Sequence, residues 1–181
     1  MLWGSEGSMG KSKHTEEIFP LVNAGGEVIG SAPRSCCYER PGILHPVVHL
    51  HVINSFGEIY LQKRSLRKDL FPGRWDAAVG GHIIYGETLE GAIKREALKE
   101  IGITDFLPEL LAVHTINTTY ESECVHVFMT KYDRSMRYNP EELADGRFWC
   151  LHEIEKNIGK GVFTPNFEQD PPLLKRGFMQ R

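Results

Sequence analysis

Residues 81–103 read GHIIYGETLEGAIKREALKEIGI, a glycine-rich loop followed by a charged segment. From Thr88 onward, apolar residues recur at the spacing of one helix face, which predicts an amphipathic helix with one buried stripe and charge on its remaining face. The residues of that stripe are Leu89, Ala92, Ile93 and Ala97. Gly102 follows the last turn and is a typical helix terminator. We expect this loop and helix to carry the chemistry of the protein.

Two glutamates make the helix a candidate metal site. Glu96 and Glu100 are four residues apart, so their carboxylates point the same way from the charged face. Paired acids at this spacing repel each other, but together they can bind one hard cation through oxygen. The alternative is an ordinary amphipathic surface helix.

The same stretch resembles the Nudix hydrolase signature, which runs Gly, five residues, Glu, seven residues, Arg-Glu, an apolar residue, any residue, Glu-Glu, any residue, Gly and an apolar residue. The matching positions are Gly81, Glu87, Arg95, Glu96, Ala97, Glu100, Gly102 and Ile103. One defining position departs from the pattern, because Lys99 stands where the first acid of the Glu-Glu pair is expected. Its ammonium either replaces part of the charge of a bound cation or extends into solvent. A match at this many fixed positions favours a functional site over a surface helix.

The resemblance implies both a fold and an activity. The implied fold is of the α/β (α+β) class, an α/β/α sandwich with a mixed central sheet. The implied activity is hydrolysis of a diphosphate linkage with Mg²⁺ or Mn²⁺, usually in a nucleoside diphosphate joined to another group. In the roles that the family suggests, Glu96 and Glu100 bind metal, Gly81 lends its carbonyl to the metal, and Arg95 orients Glu87 through a charge-assisted hydrogen bond.

Composition limits the remaining possibilities. A chain of 181 residues with 41% hydrophobic and 25% charged residues predicts one globular domain, here residues 14–181, after a leader at 1–13 that is disordered or a remnant of recombinant expression. A net charge of −3 gives no general attraction to nucleic acid, and no apolar run approaches the roughly 20 residues of a membrane span. Neither nucleic acid nor a membrane is therefore the expected partner, and the resemblance implies a small-molecule diphosphate bound by a monomer or homodimer. Four cysteines without CxxC spacing predict reduced thiols in the cytoplasm.

Patterns outside the signature predict the rest of the fold. A glycine pair between two apolar runs predicts a β-hairpin at about residues 18–32. Alternating and β-branched runs predict further strands, at residues 44–54, 58–64, 107–117, 123–131 and 146–150. A short helix is expected at residues 151–158, and a closing helix at 163–180 that is interrupted near Pro171 and Pro172.

A second resemblance, to isopentenyl diphosphate isomerase, covers about half of the chain. That enzyme holds a separate metal with histidines and two glutamates, and the positions that match its ligands are His45, His82, Glu121 and Glu123. Tyr38 stands where another histidine is expected. Two of the five basic residues in the loop at 63–75 match the diphosphate contacts of the isomerase, namely Arg64 and Lys68.

This second site would take a transition metal. Glu121 and Glu123 are two residues apart, so both face the same side of an extended strand, and histidine with carboxylate suits Zn, Mn or Fe. Each of these residues also has an ordinary interpretation, as a half-buried histidine or a solvated strand residue. The basic loop has one too, as a solvated charged loop. His49, His51 and His126 match no pattern and are expected on the surface of the sheet.

One position separates the two relatives chemically. The isomerase reaction needs a cysteine immediately before the Gly-His pair, to protonate an alkene, and this chain has Gly80 there. We therefore expect hydrolysis. Two alternatives remain open, an isomerase-like enzyme and a catalytically silent Nudix fold that binds a nucleotide or a partner.

Overall fold

A mixed β-sheet forms the centre of the protein. The computed structural model describes residues 16–39 and 42–179, so the leader predicted at 1–13 lies outside the described residues. The strands are β1 Ile18–Val22, β2 Val28–Pro33, β3 Leu44–Ile53, β4 Ile59–Arg64, β5 Trp75–Ala77, β6 Val79–His82, β7 Glu109–Asn117, β8 Ser122–Lys131 and β9 Leu143–Trp149. The helices are α1 Arg34–Glu39, α2 Leu89–Ile101, α3 Leu151–Asn157 and α4 Pro171–Met179, with a 3₁₀ turn at Phe167–Gln169.

Strand β3 organises the sheet, whose main order is β5-β4-β3-β8-β7. It runs parallel to β8 over its whole length, and it pairs antiparallel with β4 and β6. Nine of its ten residues are buried, because helices and loops cover both faces of the sheet. A strand in such a position reads as a nearly continuous buried run rather than as a clean alternation. The predicted mixed central sheet is confirmed.

Two helical layers enclose this sheet. On one face, Val48, Leu50 and Val52 of β3 pack against Ala92 and Ile93 of α2. The opposite face packs against α3, the 3₁₀ turn and α4 through a second buried cluster, which includes Ile53, Ile59, Leu61, Ile154, Phe167 and Leu174. The predicted α/β/α architecture is therefore present. Among the described helices, none is long and apolar enough to span a membrane.

Helix α2 has the boundaries that its sequence predicts. Thr88 caps its first turn by accepting a hydrogen bond from the Gly91 N–H at 3.1 Å. Gly102 ends it in the left-handed conformation with φ of 70°, which glycine adopts without steric cost. Glu96 and Glu100, which their spacing places on the charged face, are nevertheless buried, since each is only 6% exposed. Both glutamates flank the buried stripe and face the two glycines of β6. Because glycine has no side chain, the glutamate side chains fit there.

The N-terminal hairpin is present as a separate two-stranded sheet of β1 and β2. Helix α1 follows it directly and begins at Arg34, next to the proline that ends β2. The first turn of α1 obtains its cap from a distant residue, since the Ser35 N–H donates to the Glu16 carboxylate at 2.7 Å. A cap supplied by another segment leaves no local signal in the sequence.

The C-terminal segment corrects a second expectation. The predicted closing helix is not interrupted at Pro171 and Pro172; instead, α4 begins at Pro171. Proline is favoured in the first turn of a helix, where its missing N–H has no partner to lose. The residue before α4, Asp170, is fully buried and contacts β3.

Candidate active site and metal centre

Glu96 reaches the candidate site by packing directly over Gly81. A Cβ atom placed on Gly81 would lie 2.3 Å from Glu96 Cγ and 2.6 Å from its Cδ, so only glycine permits this approach. The adjacent Gly80 has open space, since a Cβ atom there would have His49 Cδ2 as its nearest neighbour, 3.9 Å away. The signature glycine is therefore explained by contact with the helix that follows it.

Arg95 connects the acids of the signature. Its guanidinium donates to both carboxylate oxygens of Glu87, each at 2.8 Å, and to the His82 carbonyl at 2.9 Å. It also donates to Glu96 Oε1. The hydrogen bonds from Arg95 lower the pKa of Glu87, which keeps that carboxylate ionised. The contact between Arg95 and Glu87 that the resemblance implied is present.

Glu100 is the least neutralised acid of the site. Its Oε2 accepts hydrogen bonds from the Gln62 amide at 3.1 Å and from the Gly80 N–H at 3.2 Å, neither of which carries a charge. Burial and the nearby charge of Glu96 raise the pKa of Glu100 to about 8. A buried carboxylate without a cationic partner is unfavourable, so this position would gain from a bound cation.

Lys99 lies beside the site, although its side chain is 47% exposed. Its Nζ lies 3.4 Å from Glu96 Oε2 and 3.7 Å from Glu142 Oε1. Glu142 in turn accepts from Lys68 Nζ at 2.5 Å. Of the two alternatives for Lys99, the geometry favours the first, since its ammonium neutralises an acid of the signature. Glu142 was missed by sequence reasoning, because it lies in a polar loop remote from the signature.

The two basic residues expected to contact diphosphate both line the site. Arg64 donates to the Leu70 carbonyl at 3.1 Å and lies 3.4 Å from Asp76 Oδ2. Lys68 is held by Glu142. Both cations therefore already have carboxylate partners, which an incoming anion would have to share or displace.

A second cluster contains the four residues predicted to hold a separate metal. His45, His82, Glu121 and Glu123 each offer one ligand atom, and these atoms all lie within 4.8 Å of one another. The pairing of β3 with β8 sets His45 beside Glu123, and the pairing of β3 with β6 adds His82. The sequence could find this group only through the resemblance, because the three strands are far apart along the chain.

Neighbouring side chains orient these ligands. Phe19 of the hairpin stacks on the His82 ring, with centroids 4.5 Å apart. The Tyr38 hydroxyl lies 3.2 Å from His82 Nε2, and the Asn166 amide donates to Glu123 Oε2 at 2.7 Å. Helix α1, which carries Tyr38, thus closes one side of the cluster. Sequence reasoning missed Phe19 and Asn166, which come from segments without a motif.

The electrostatics of the second cluster suit a cation. Among the described residues, the buried atoms without a hydrogen-bond partner include His45 Nε2 and Glu121 Oε2. Burial lowers the pKa of His82, which favours the neutral ring that binds metals. Burial and the charge of Glu121 raise the pKa of Glu123. Buried nitrogen and oxygen atoms that lack a hydrogen-bond partner are compatible with a candidate metal site at this cluster.

One cavity of about 650 Å³ joins the two groups. Its wall contains residues of both clusters together with three basic side chains. They are Glu96, Glu100, His82, Glu121, Glu123, Arg64, Lys68 and Lys99. The aromatic side chain of Tyr120 also lines it. The cavity therefore holds both carboxylates that can bind metals and cationic side chains that can bind phosphoryl oxygens.

Two further histidines do not lie where the sequence places them. His49 and His51 are buried, at 6% and 0% exposure, rather than on the sheet surface. Their rings contact the Asp170 carboxylate, at 2.8 Å from His49 Nδ1 and 3.0 Å from His51 Nε2. His126 is half-buried. A charged partner delivered from the start of α4 makes burial of both rings possible.

Comparison with known proteins identifies the family. The model of the NUDIX domain matches residues 43–167, which is more than half of the chain and includes both clusters. The chain belongs to the NUDIX family. An uncharacterized Nudix hydrolase of Listeria monocytogenes is 31% identical over 153 residues, covering 83% of this chain and 90% of the relative. This Nudix hydrolase is also similar to an isopentenyl-diphosphate Delta-isomerase of Brevibacterium linens, at 29% identity over 87% of this chain and 93% of that protein.

Solved structures share the fold. The crystal structure of DR0079 from Deinococcus radiodurans superimposes with a TM-score of 0.72 at 28% identity, covering 88% of this chain and 98% of that one. The Nudix domain of Shewanella oneidensis NrtR, crystallised with ADP ribose, gives a TM-score of 0.62 at 15% identity over 74% of this chain and 87% of that one. The latter similarity concerns the fold alone.

Proposed function

We propose that this Nudix hydrolase cleaves the diphosphate linkage of a small molecule, such as a nucleoside diphosphate joined to another group, with Mg²⁺ or Mn²⁺. The observation that carries the proposal is the shared cavity, where Glu96 and Glu100 lie in one wall with Arg64 and Lys68. Carboxylates that can hold a divalent cation and cationic side chains that can hold phosphoryl oxygens are thus within reach of one ligand. The four cysteines are free, which fits a cytoplasmic enzyme.

The residues around Glu100 fit a divalent cation. Glu100 is buried beside Glu96 and has no cation in hydrogen-bonding contact among the described residues, and oxygen donors of this type suit Mg²⁺ or Mn²⁺. We assign Glu96, Glu100 and the Gly81 carbonyl as its ligands. Such an ion would neutralise diphosphate charge and acidify the attacking water.

The remaining residues position the carboxylates and neutralise negative charge. Arg95 holds Glu87 and Glu96 in fixed orientations, so that the carboxylates do not need to reorganise when the substrate enters. Arg64 and Lys68 contact the diphosphate oxygens. Lys99 supplies a fixed positive charge next to Glu96, where other members of the family have an acid, and this favours fewer metal ions at the helix.

We assign a second, transition-metal site to His45, His82, Glu121 and Glu123. The support is their mutual distance and the buried, unpartnered His45 Nε2 and Glu121 Oε2. Two imidazoles with two carboxylates suit Zn²⁺, Mn²⁺ or Fe²⁺. Metal analysis of the purified chain, before and after chelation, tests this assignment independently of any activity.

The isomerase-like alternative is disfavoured by the residues of the cavity. Among the described residues that line it there is no cysteine, and the position before the Gly-His pair is Gly80. The Cβ of a larger residue would fit at that position, because it would meet no atom closer than 3.9 Å. Lack of space therefore does not explain why the chain has no cysteine here to act as the proton donor of the isomerase reaction.

Turnover of defined substrates tests the proposal. Phosphate and monophosphate release should be measured with nucleotide sugars, ADP-ribose, dinucleotides and prenyl diphosphates, first with Mg²⁺ and then with Mn²⁺. Glu100→Gln should abolish any release, whereas Glu90→Gln should not, because Glu90 lies on the exposed face of α2 and, within the described part of the chain, pairs only with Lys94. Binding without turnover of any compound would favour the silent binding module instead.

A further inference from the structure

We propose that His49 is a substrate-contacting residue, whose Nε2–H donates to a phosphoryl oxygen of the diphosphate, and that Asp170 positions it. This inference rests on the proposed diphosphate substrate and adds a contact that neither resemblance assigns. His49 lines the cavity together with Gly80 and Glu123, although it belongs to neither ligand group. Its geometry leaves one ring nitrogen for the ligand.

Asp170 fixes the orientation of the ring. The fully buried carboxylate lies 2.8 Å from His49 Nδ1, so this nitrogen carries its proton toward α4. The opposite edge of the imidazole, with Cδ2 and Nε2, consequently faces Gly80 and the cavity. Cδ2 lies 3.9 Å from the position of a Cβ on Gly80, which places this edge next to the backbone that also binds Glu100.

The charge on His49 suits an anionic ligand. Burial lowers its pKa, but the Asp170 carboxylate outweighs burial, and with smaller contributions from Asp76 and Glu123 it raises the pKa to about 9. The ring is then cationic at neutral pH, and Nε2 carries a proton that it can donate. A hydrogen bond from a cation to a phosphoryl oxygen is among the stronger polar contacts in proteins.

The Asp170 carboxylate contacts other imidazole rings in addition to this histidine. Its Oδ2 also contacts His51 Nε2 at 3.0 Å, and its Oδ1 lies 3.5 Å from His114 Nε2. His51 and His114 do not line the cavity. The carboxylate is therefore surrounded by three imidazoles from β3 and β7, of which only His49 extends to the ligand space. The other two serve as internal comparisons.

Calorimetric titration of the full chain with methylenebisphosphonate, at saturating Mg²⁺, tests the contact without requiring turnover. In His49→Asn, the amide can replace Nδ1 toward Asp170 but nothing reaches the cavity, so affinity should fall by about ten-fold or more. His49→Gln, whose amide extends as far as Nε2, should recover part of that loss. His114→Gln should leave the affinity within about two-fold of the wild type.

Asp170→Asn tests the positioning role. Without the carboxylate, the pKa of His49 falls, so the loss of bisphosphonate affinity with rising pH should begin at lower pH than in the wild type. Unchanged affinity in His49→Asn, or an equal loss in His114→Gln, would overturn the proposal. If His49→Asn does not fold, His49→Ala replaces it, since alanine likewise presents nothing to the cavity, and unchanged affinity in that variant would overturn the proposal. Binding is measured separately from hydrolysis. If the His49 variants bind as the wild type does, the proposed hydrolysis is unaffected. If the binding pattern is as expected but the enzyme is inactive, only the proposed hydrolysis is contradicted.

Discussion

The two adjacent glycines of β6 predict opposite outcomes for the same substitution. In Gly81→Ala, the new Cβ would lie 2.3, 2.6 and 2.9 Å from Glu96 Cγ, Cδ and Oε1, distances that no pair of these atoms tolerates. Either the Glu96 side chain rotates away or β6 separates from α2. Overpacking of this kind costs about 1–3 kcal/mol of unfolding free energy, and each kcal/mol lowers the Tm by roughly 2–4 °C in a domain of this size.

The functional effect should exceed the effect on stability. Both ways of relieving the contact remove Glu96 from its place over Gly81, so hydrolysis at limiting Mg²⁺ should fall by at least about ten-fold, as expected when a metal ligand or its support is lost. Gly80→Ala is the matched control, because its Cβ would meet no atom closer than 3.9 Å and its N–H can still donate to Glu100. Thermal unfolding and a Mg²⁺ titration of hydrolysis compare the two. Equal behaviour of both variants would refute the close packing of Glu96 on Gly81.

Three further predictions follow from the charges. Lys99→Glu should raise hydrolysis at limiting Mg²⁺, because a carboxylate would replace the ammonium that lies 3.4 Å from Glu96; an unchanged Mg²⁺ titration would contradict this. Glu121→Gln should reduce transition-metal retention by about ten-fold or more, measured by elemental analysis after dialysis, and full retention would argue against the second site. Burial lowers the pKa of His49, but Asp170 raises it overall, from 6.5 to about 9. The resulting stabilisation is complete below pH 6.5 and is lost as the pH rises through about 9. Denaturant unfolding should therefore show a gap between wild type and His49→Asn that narrows over this range, and a constant gap would count against the ion pair.

The sequence predicts those parts of the fold that have a local pattern. The boundaries of α2 follow from an amphipathic repeat between a capping Thr88 and a left-handed Gly102. The paired strands β3 and β8 are recognisable from their β-branched content. Helix α1 could not be found in this way, since its cap comes from Glu16. The short strands β5 and β6 have little pattern of their own, and they form because β4 and β3 offer free edges.

The candidate site was predictable only where a motif names its residues. The signature led to Glu96 and Glu100 on the charged face of the helix, but spacing alone does not reveal that both are buried or that a glycine strand lies opposite. Asp170 contacts His49 across 121 residues of sequence. A contact of this range depends on where α4 packs, and no local signal in either segment encodes it.

The two acids of α2 differ in how their charge is compensated, and this difference bears on how many cations the helix can hold. Glu96 lies between Arg95 and Lys99, so its carboxylate already has two cationic partners before any metal arrives. Glu100 has only neutral donors, and burial raises its pKa to about 8. A divalent ion therefore gains most at Glu100, with Glu96 as a shared ligand on one side. A second ion near Lys99 would meet an ammonium that Glu142 holds in place, which is electrostatically unfavourable. The lysine at position 99 thus favours a reduced number of metals at the helix, and the histidine cluster across the cavity is a candidate site for another.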